Sequence, residues 1–125
     1  MLPEFVSRLL NVAVALRESP DPEEYTGAMY MTSGGVPTDP LGHYAYRTDL
    51  QDTFKIGFDK ATSKPWPVFT STGKLAYYDS EQTVEHFGLT DEECEIIFGY
   101  EGCGGAITPE DAAEFIERFV AERCS

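Results

Sequence analysis

Apolar residues recur over the first 17 positions at helical spacing. Phe5, Val6, Leu9, Leu10, Ala13 and Leu16 share one side, while Arg8, Asn11 and Arg17 fall elsewhere on the wheel. The pattern predicts an amphipathic helix over 3–17 packed on the core. Ser19-Pro20-Asp21-Pro22 ends it, because proline has no N–H to donate and its ring clashes with the preceding turn. The period is then lost. EEYTGAMYMTSGGVPTDP mixes aromatics and methionine with Gly34-Gly35, Pro37 and Pro40, which predicts a loop with a short ordered piece around Tyr25–Met31. A short helix is expected over 41–52, with Pro40 at its first position.

The period next changes to two. FKIGF (54–58) places Phe54, Ile56 and Phe58 on one side of a strand, DKATSKP (59–65) reads as a polar turn, and WPVFT (66–70) is apolar again. Together they predict a small hairpin whose second strand is kept at an edge by Pro65 and Pro67.

Helical spacing returns in the last third. A helix over 79–89 would start at Asp79 or Ser80, turn Val84 and Phe87 inward, and close on Gly88 in the left-handed conformation. Thr90 and Glu93 have the spacing of a capping box, in which each side chain takes a backbone N–H of the other residue. The helix they open carries Cys94, Ile97 and Phe98 and ends near Gly99. Thr108-Pro-Glu-Asp111 repeats the device with proline at the first helical position. Ala112, Phe115, Ile116, Phe119 and Val120 then form an inward stripe. The elements add up to an α+β fold: four to five short helices around one core with a small antiparallel hairpin, in a single domain spanning 1–125.

Composition agrees with a packed core. Hydrophobic residues make up 42% of the 125 positions and aromatics 13%, too many for a disordered chain. No apolar run approaches the roughly 20 residues needed to cross a bilayer. The N-terminal stretch lacks a basic start, and Glu4 and Arg8 interrupt it, so it is expected to be a mature helix of a cytoplasmic protein rather than a signal peptide. Three cysteines, Cys94, Cys103 and Cys124, do not suggest a disulfide scaffold.

Charge changes the picture more. The formal net charge is −13. Residues 1–78 hold nine acids and seven bases, whereas residues 79–125 hold thirteen acids and only Arg118 and Arg123 as bases. Five of the nine bases lie between Arg47 and Lys74. The acidic third repels nucleic acid and anionic lipid and attracts basic proteins or cations.

Candidate chemistry concentrates in FGYEGCGGAITPEDAAEF (98–115), a glycine-rich loop running into a helix. It lacks both G-x-x-x-x-G-K-[ST] and G-x-G-x-x-G, and Glu101, Glu110 and Asp111 already place carboxylates where a phosphate would sit. Cys103 has acidic neighbours, which favour the thiol over the reactive thiolate. His43, His86, Cys94 and Cys103 could form a zinc set, but Cys94-x8-Cys103 lacks the short spacing of structural zinc sites. There is no calcium loop. TVEHFGLTDEECEIIF has the outline of a helix-turn-helix, yet Asp91, Glu92, Glu93 and Glu95 on its second helix would repel DNA.

PLGHYA (40–45), FKIGF followed by PVF, HFGLTDEECEIIF (86–98) and TPEDAAEFIERFV (108–120) resemble a group of small bacterial and phage proteins with no assigned activity. Those share an N-terminal helix, a Gly-His-Ala segment, a short strand pair, an FFGLxxEEAxxLF motif and a TPExxAxxI helix. The group's cysteine before Gly-His and its upstream tryptophan are replaced here around Leu41 and Tyr30/Met31. The resemblance therefore implies a fold and a bacterial or phage origin rather than a chemistry.

The sequence thus points to a non-enzymatic, acidic protein-binding accessory protein with no cofactor. Its expected partner is a basic protein surface, such as a nucleic-acid-binding enzyme, that it could inhibit by imitating DNA; neither nucleic acid nor membrane is expected to bind directly. The expected face is Asp91, Glu92, Glu95, Glu101, Glu110, Asp111, Glu114 and Glu117. Two alternatives stand beside it: a metal-binding or enzymatic protein using His43, His86, Cys94 and Cys103, and a structural oligomer.

Overall fold

The computed structural model describes residues 1–27, 31–32 and 34–124. Among the described residues it has an α+β architecture in which five helices surround one core and a two-stranded antiparallel hairpin lies beside them. Helix α1 (Pro3–Arg17) buries Leu9, Val12, Ala13, Ala15 and Leu16. Leu10, expected inward, is exposed. The buried stripe runs through Val12 and Ala15 instead, because α1 is covered by elements on both sides of its inner line. Its most extensive contact is with the last helix, and it also packs on the second and third.

A single 3-10 turn, Pro22–Glu24, follows the prolines, and Tyr25 is buried. The expected ordered piece is described only in part, since residues 28–30 lie outside the described residues; beyond them Met31 bridges Pro37. Helix α2 (Pro40–Tyr46) starts as expected, with Asp39 Oδ1 accepting from Gly42 N at 2.8 Å. It stops at Tyr46, not 52. Gln51 turns back, donating to the Tyr44 and Phe54 carbonyls and accepting from Phe54 N, so the polar run becomes a tie between helix and strand.

Strands β1 (Phe54–Asp59) and β2 (Lys64–Phe69) pair antiparallel with Phe54 opposite Phe69 and Asp59 opposite Lys64. Pro67 sits opposite Ile56 and leaves an edge that could not donate there. The chain then folds back along β2, where Ala76 N donates to the Pro67 carbonyl at 2.8 Å. Phe54 is buried, but Phe58, expected on the same inner side, is exposed at the turn end of the strand, opposite Pro65.

Helix α3 (Glu81–Phe87) is shorter than expected. Ser80 is its N-cap, but its hydroxyl accepts from Tyr77 N and so faces the preceding turn. Gly88 closes the helix at φ 62°, and a Cβ there would run into the Phe5 ring. Helix α4 (Asp91–Phe98) opens on the capping box: Thr90 Oγ1 accepts from Glu93 N at 3.1 Å, and Glu93 Oε1 accepts from Thr90 N at 3.0 Å. A single turn, Gly102–Gly105, leads to helix α5 (Pro109–Cys124), where Thr108 Oγ1 accepts from Asp111 N.

The core is one contiguous cluster with an aromatic centre. Tyr44, Phe54, Phe87 and Phe98 are fully buried, and Phe87 meets Phe98 at 4.8 Å between ring centroids. Among the described residues, no helix is long and apolar enough to cross a membrane.

Candidate protein-binding face

Helix α4 buries Cys94, Ile97 and Phe98, and the helical period therefore turns Asp91, Glu92 and Glu95 outward, where all three are exposed. Helix α5 buries Ala112, Ala113, Ile116 and Val120 and leaves Glu110, Asp111 and Glu114 exposed, with Glu117 half-buried. Glu101 is exposed in the connection between them.

These eight residues do not form one uniform surface. Glu92, Glu95 and Glu101 line a shallow crevice together with Ile96, Tyr100, Gly104 and Phe115. Glu110 and Glu117 instead flank Arg17 of α1. The guanidinium reaches Glu117 through two bonds of 3.0 and 2.7 Å and lies 3.6 Å from Glu110. The hydrogen bonds to Glu117, helped by the fields of Glu117, Glu110 and Glu114, raise the Arg17 pKa; the same pairing lowers that of Glu117. Asp91 and Asp111 belong to the first turns of their helices and line neither place. Glu93, on α4 among these acids, is neutralised by Arg123 while it caps the helix. Among the described residues, no arginine or lysine forms an ion pair with Glu92, Glu95 or Glu101.

Large apolar side chains stand exposed amid this charge. Ile96 is 45% exposed, Tyr100 76% and Ile107 79%. The connection that carries Tyr100 is tightly specified. Glu101, Cys103, Gly104 and Gly105 all have positive φ, and a Cβ on Gly102 would come within 2.5 Å of the Ile97 carbonyl oxygen. Gly104 lies so close to Phe115 that a Cβ would sit 3.2 Å from the ring, so glycine there lets the loop descend onto the aromatic wall.

Of the other candidate residues, the two histidines lie on other elements, and Cys94 and Cys103 lie buried beneath this face. His43 is buried in α2. Its Nδ1 lies 2.8 Å from the Asp39 carbonyl, which only accepts, so Nδ1 carries the proton and Nε2 accepts from Ser19 Oγ at 2.7 Å. His86 Nε2 lies 2.8 Å from the Tyr44 hydroxyl, and the His86 carbonyl accepts from Arg8. Burial pushes both imidazoles down to about 4, with the Arg8 field adding to the effect at His86. Burial also pushes the Cys94 and Cys103 thiols up to about 12, reinforced by Asp91 and Asp39 respectively. The Cys103 thiol donates to the Ile97 carbonyl at 3.4 Å. Among the described residues, no three His, Cys, Asp or Glu side chains are placed to hold a metal ion.

Comparison with known families, curated proteins and solved structures finds no match to this chain. The crevice itself was not legible from the charge pattern. Nothing in the spacing singles out Ile96 or Tyr100, and Phe115 falls on the inward stripe of α5. The available signal is Tyr100, a large aromatic set between Gly99 and the acidic Glu101. The pairing of Arg17 with Glu110 and Glu117 spans 100 residues in the second case, and no local pattern announces it.

Proposed function

We propose that this is a non-enzymatic accessory protein that uses the acidic surface of α4, the following connection and α5 to bind a basic protein. The supporting observation is a crevice that brings together three exposed carboxylates without an ion-pair partner among the described residues, Glu92, Glu95 and Glu101, next to exposed Ile96 and Tyr100. Uncompensated charge speeds encounter with a basic surface, and apolar area beside it gives the bound state its lifetime. The bases Lys55, Lys60 and Lys64 on the hairpin and Lys74 just after it belong to a different part of the chain, so charge is distributed asymmetrically along the sequence.

Within that reading, the partner class is a nucleic-acid-binding enzyme whose phosphate-binding surface the carboxylates occupy, as an anti-restriction or anti-CRISPR inhibitor of phage or bacterial origin would do. The test is capture of partners from bacterial lysate, followed by elution with salt or with duplex DNA. Release of the same partner by both supports the reading. Capture that neither salt nor DNA disturbs contradicts it.

A further inference from the structure

We propose that the crevice between α4 and α5 is a receptor for an arginine side chain on a basic partner segment. The proposal rests on the protein-binding reading above and names the chemistry that one part of the surface selects. The crevice is lined by the apolar and aromatic side chains of Ile96, Tyr100 and Phe115, with three exposed carboxylates, Glu92, Glu95 and Glu101, at its rim. Its neighbours show what uncompensated means here. Glu93 pairs with Arg123, and Glu110 and Glu117 share Arg17, whereas the rim carboxylates, like Asp91, Asp111 and Glu114, have no ion-pair partner among the described residues; only the rim three line one crevice with aromatic side chains.

Three features favour a guanidinium over other cations. The rim carboxylates share one crevice, yet no three acidic, histidine or cysteine side chains converge closely enough to hold a metal ion. Next, the aromatic rings of Tyr100 and Phe115 line the same crevice, and a flat guanidinium stacks on such rings better than a strongly hydrated ammonium does. Finally, guanidinium presents five N–H donors in a fork that serves several carboxylates at once. Gly104 keeps the wall open, because a side chain there would press on the Phe115 ring. Ile96 adds exposed apolar surface in the same crevice.

The experiment titrates the intact protein with fluorescent oligo-arginine and oligo-lysine peptides of equal length, at low and high salt. The wild type is expected to bind oligo-arginine about two- to five-fold more tightly, the range an exposed cation–π contact supports. Tyr100→Ala, at a position 76% exposed and so outside the core, is expected to abolish the preference and leave oligo-lysine binding unchanged. Glu95→Gln with Glu101→Gln is expected to weaken both peptides more than Glu81→Gln with Glu85→Gln, an equal loss of charge on exposed positions of α3. Equal affinity for the two peptides, an arginine preference that survives Tyr100→Ala, or equal losses in the two charge variants would overturn the arginine receptor while leaving the acidic-surface reading in place. Failure of both peptides to bind at low salt would overturn both.

Discussion

Ser19 and His43 clasp the end of α1 to α2, with Ser19 Oγ 2.7 Å from Nε2 of an imidazole whose other nitrogen is held by the Asp39 carbonyl. The bond is directional: the carbonyl fixes the tautomer, so the hydroxyl must donate. Ser19→Ala removes that donor and leaves a buried acceptor unpaired, at a cost of about 1–3 kcal/mol. Urea unfolding at neutral pH measures it, and an unchanged midpoint would remove the clasp from the account.

His43 also sets a pH dependence. Its pKa falls from the ordinary 6.5 to about 4 because burial disfavours the charged ring. Its contribution is therefore fully present above 6.5 and is lost as the pH falls towards 4. His43→Gln does not titrate, so the stability gap between wild type and variant is expected to narrow over that window. His86 is lowered in the same way and keeps a residual slope in the variant.

Asp39 runs in the opposite sense. Burial lifts its carboxyl from 3.8 to about 8, against the pull of the Gly42 N–H, so folding favours the protonated form. That contribution is present below about pH 4 and is lost as pH rises towards 8. Asp39→Asn keeps a capping oxygen without a charge. The variant should gain on wild type steadily from pH 4 to 8 in urea midpoints; a constant difference would contradict the assignment.

Gly88 and Gly105 make a matched pair for backbone strain. Both have positive φ, 62° and 76°, but only at Gly88 would a new methyl meet another side chain, the Phe5 ring. Gly105→Ala is expected to cost about 1–2 kcal/mol from conformation alone. Gly88→Ala should exceed it, since α1 must also move. Equal losses would show that Phe5 yields freely.

The helix starts were the most legible part of the fold. Thr90 and Glu93 close their box, and Thr108 caps α5, because capping depends on residues three apart in the chain. What failed were features set by distant packing. Gln51 ended α2 early by binding both Tyr44 and Phe54, and Phe58 lay exposed at the turn end of its strand while Phe54 was buried. The acidic set was legible as a count of charge, but not its partition. Arg17 from the opposite end of the chain is shared by Glu110 and Glu117, and Arg123 pairs with Glu93, while Glu92, Glu95 and Glu101 are the carboxylates without an ion pair among the described residues that line one crevice.

The central claim is that the three crevice carboxylates recognise a basic protein. Its most direct test is the affinity of the captured partner for wild type and for the Glu92→Gln, Glu95→Gln, Glu101→Gln triple variant, followed across a salt series. The three positions are exposed, so the fold should survive the change. The account predicts that wild-type binding weakens steadily as salt rises, and that the variant binds more weakly at low salt with a shallower salt dependence. Identical affinity and identical salt dependence for the two proteins would contradict it.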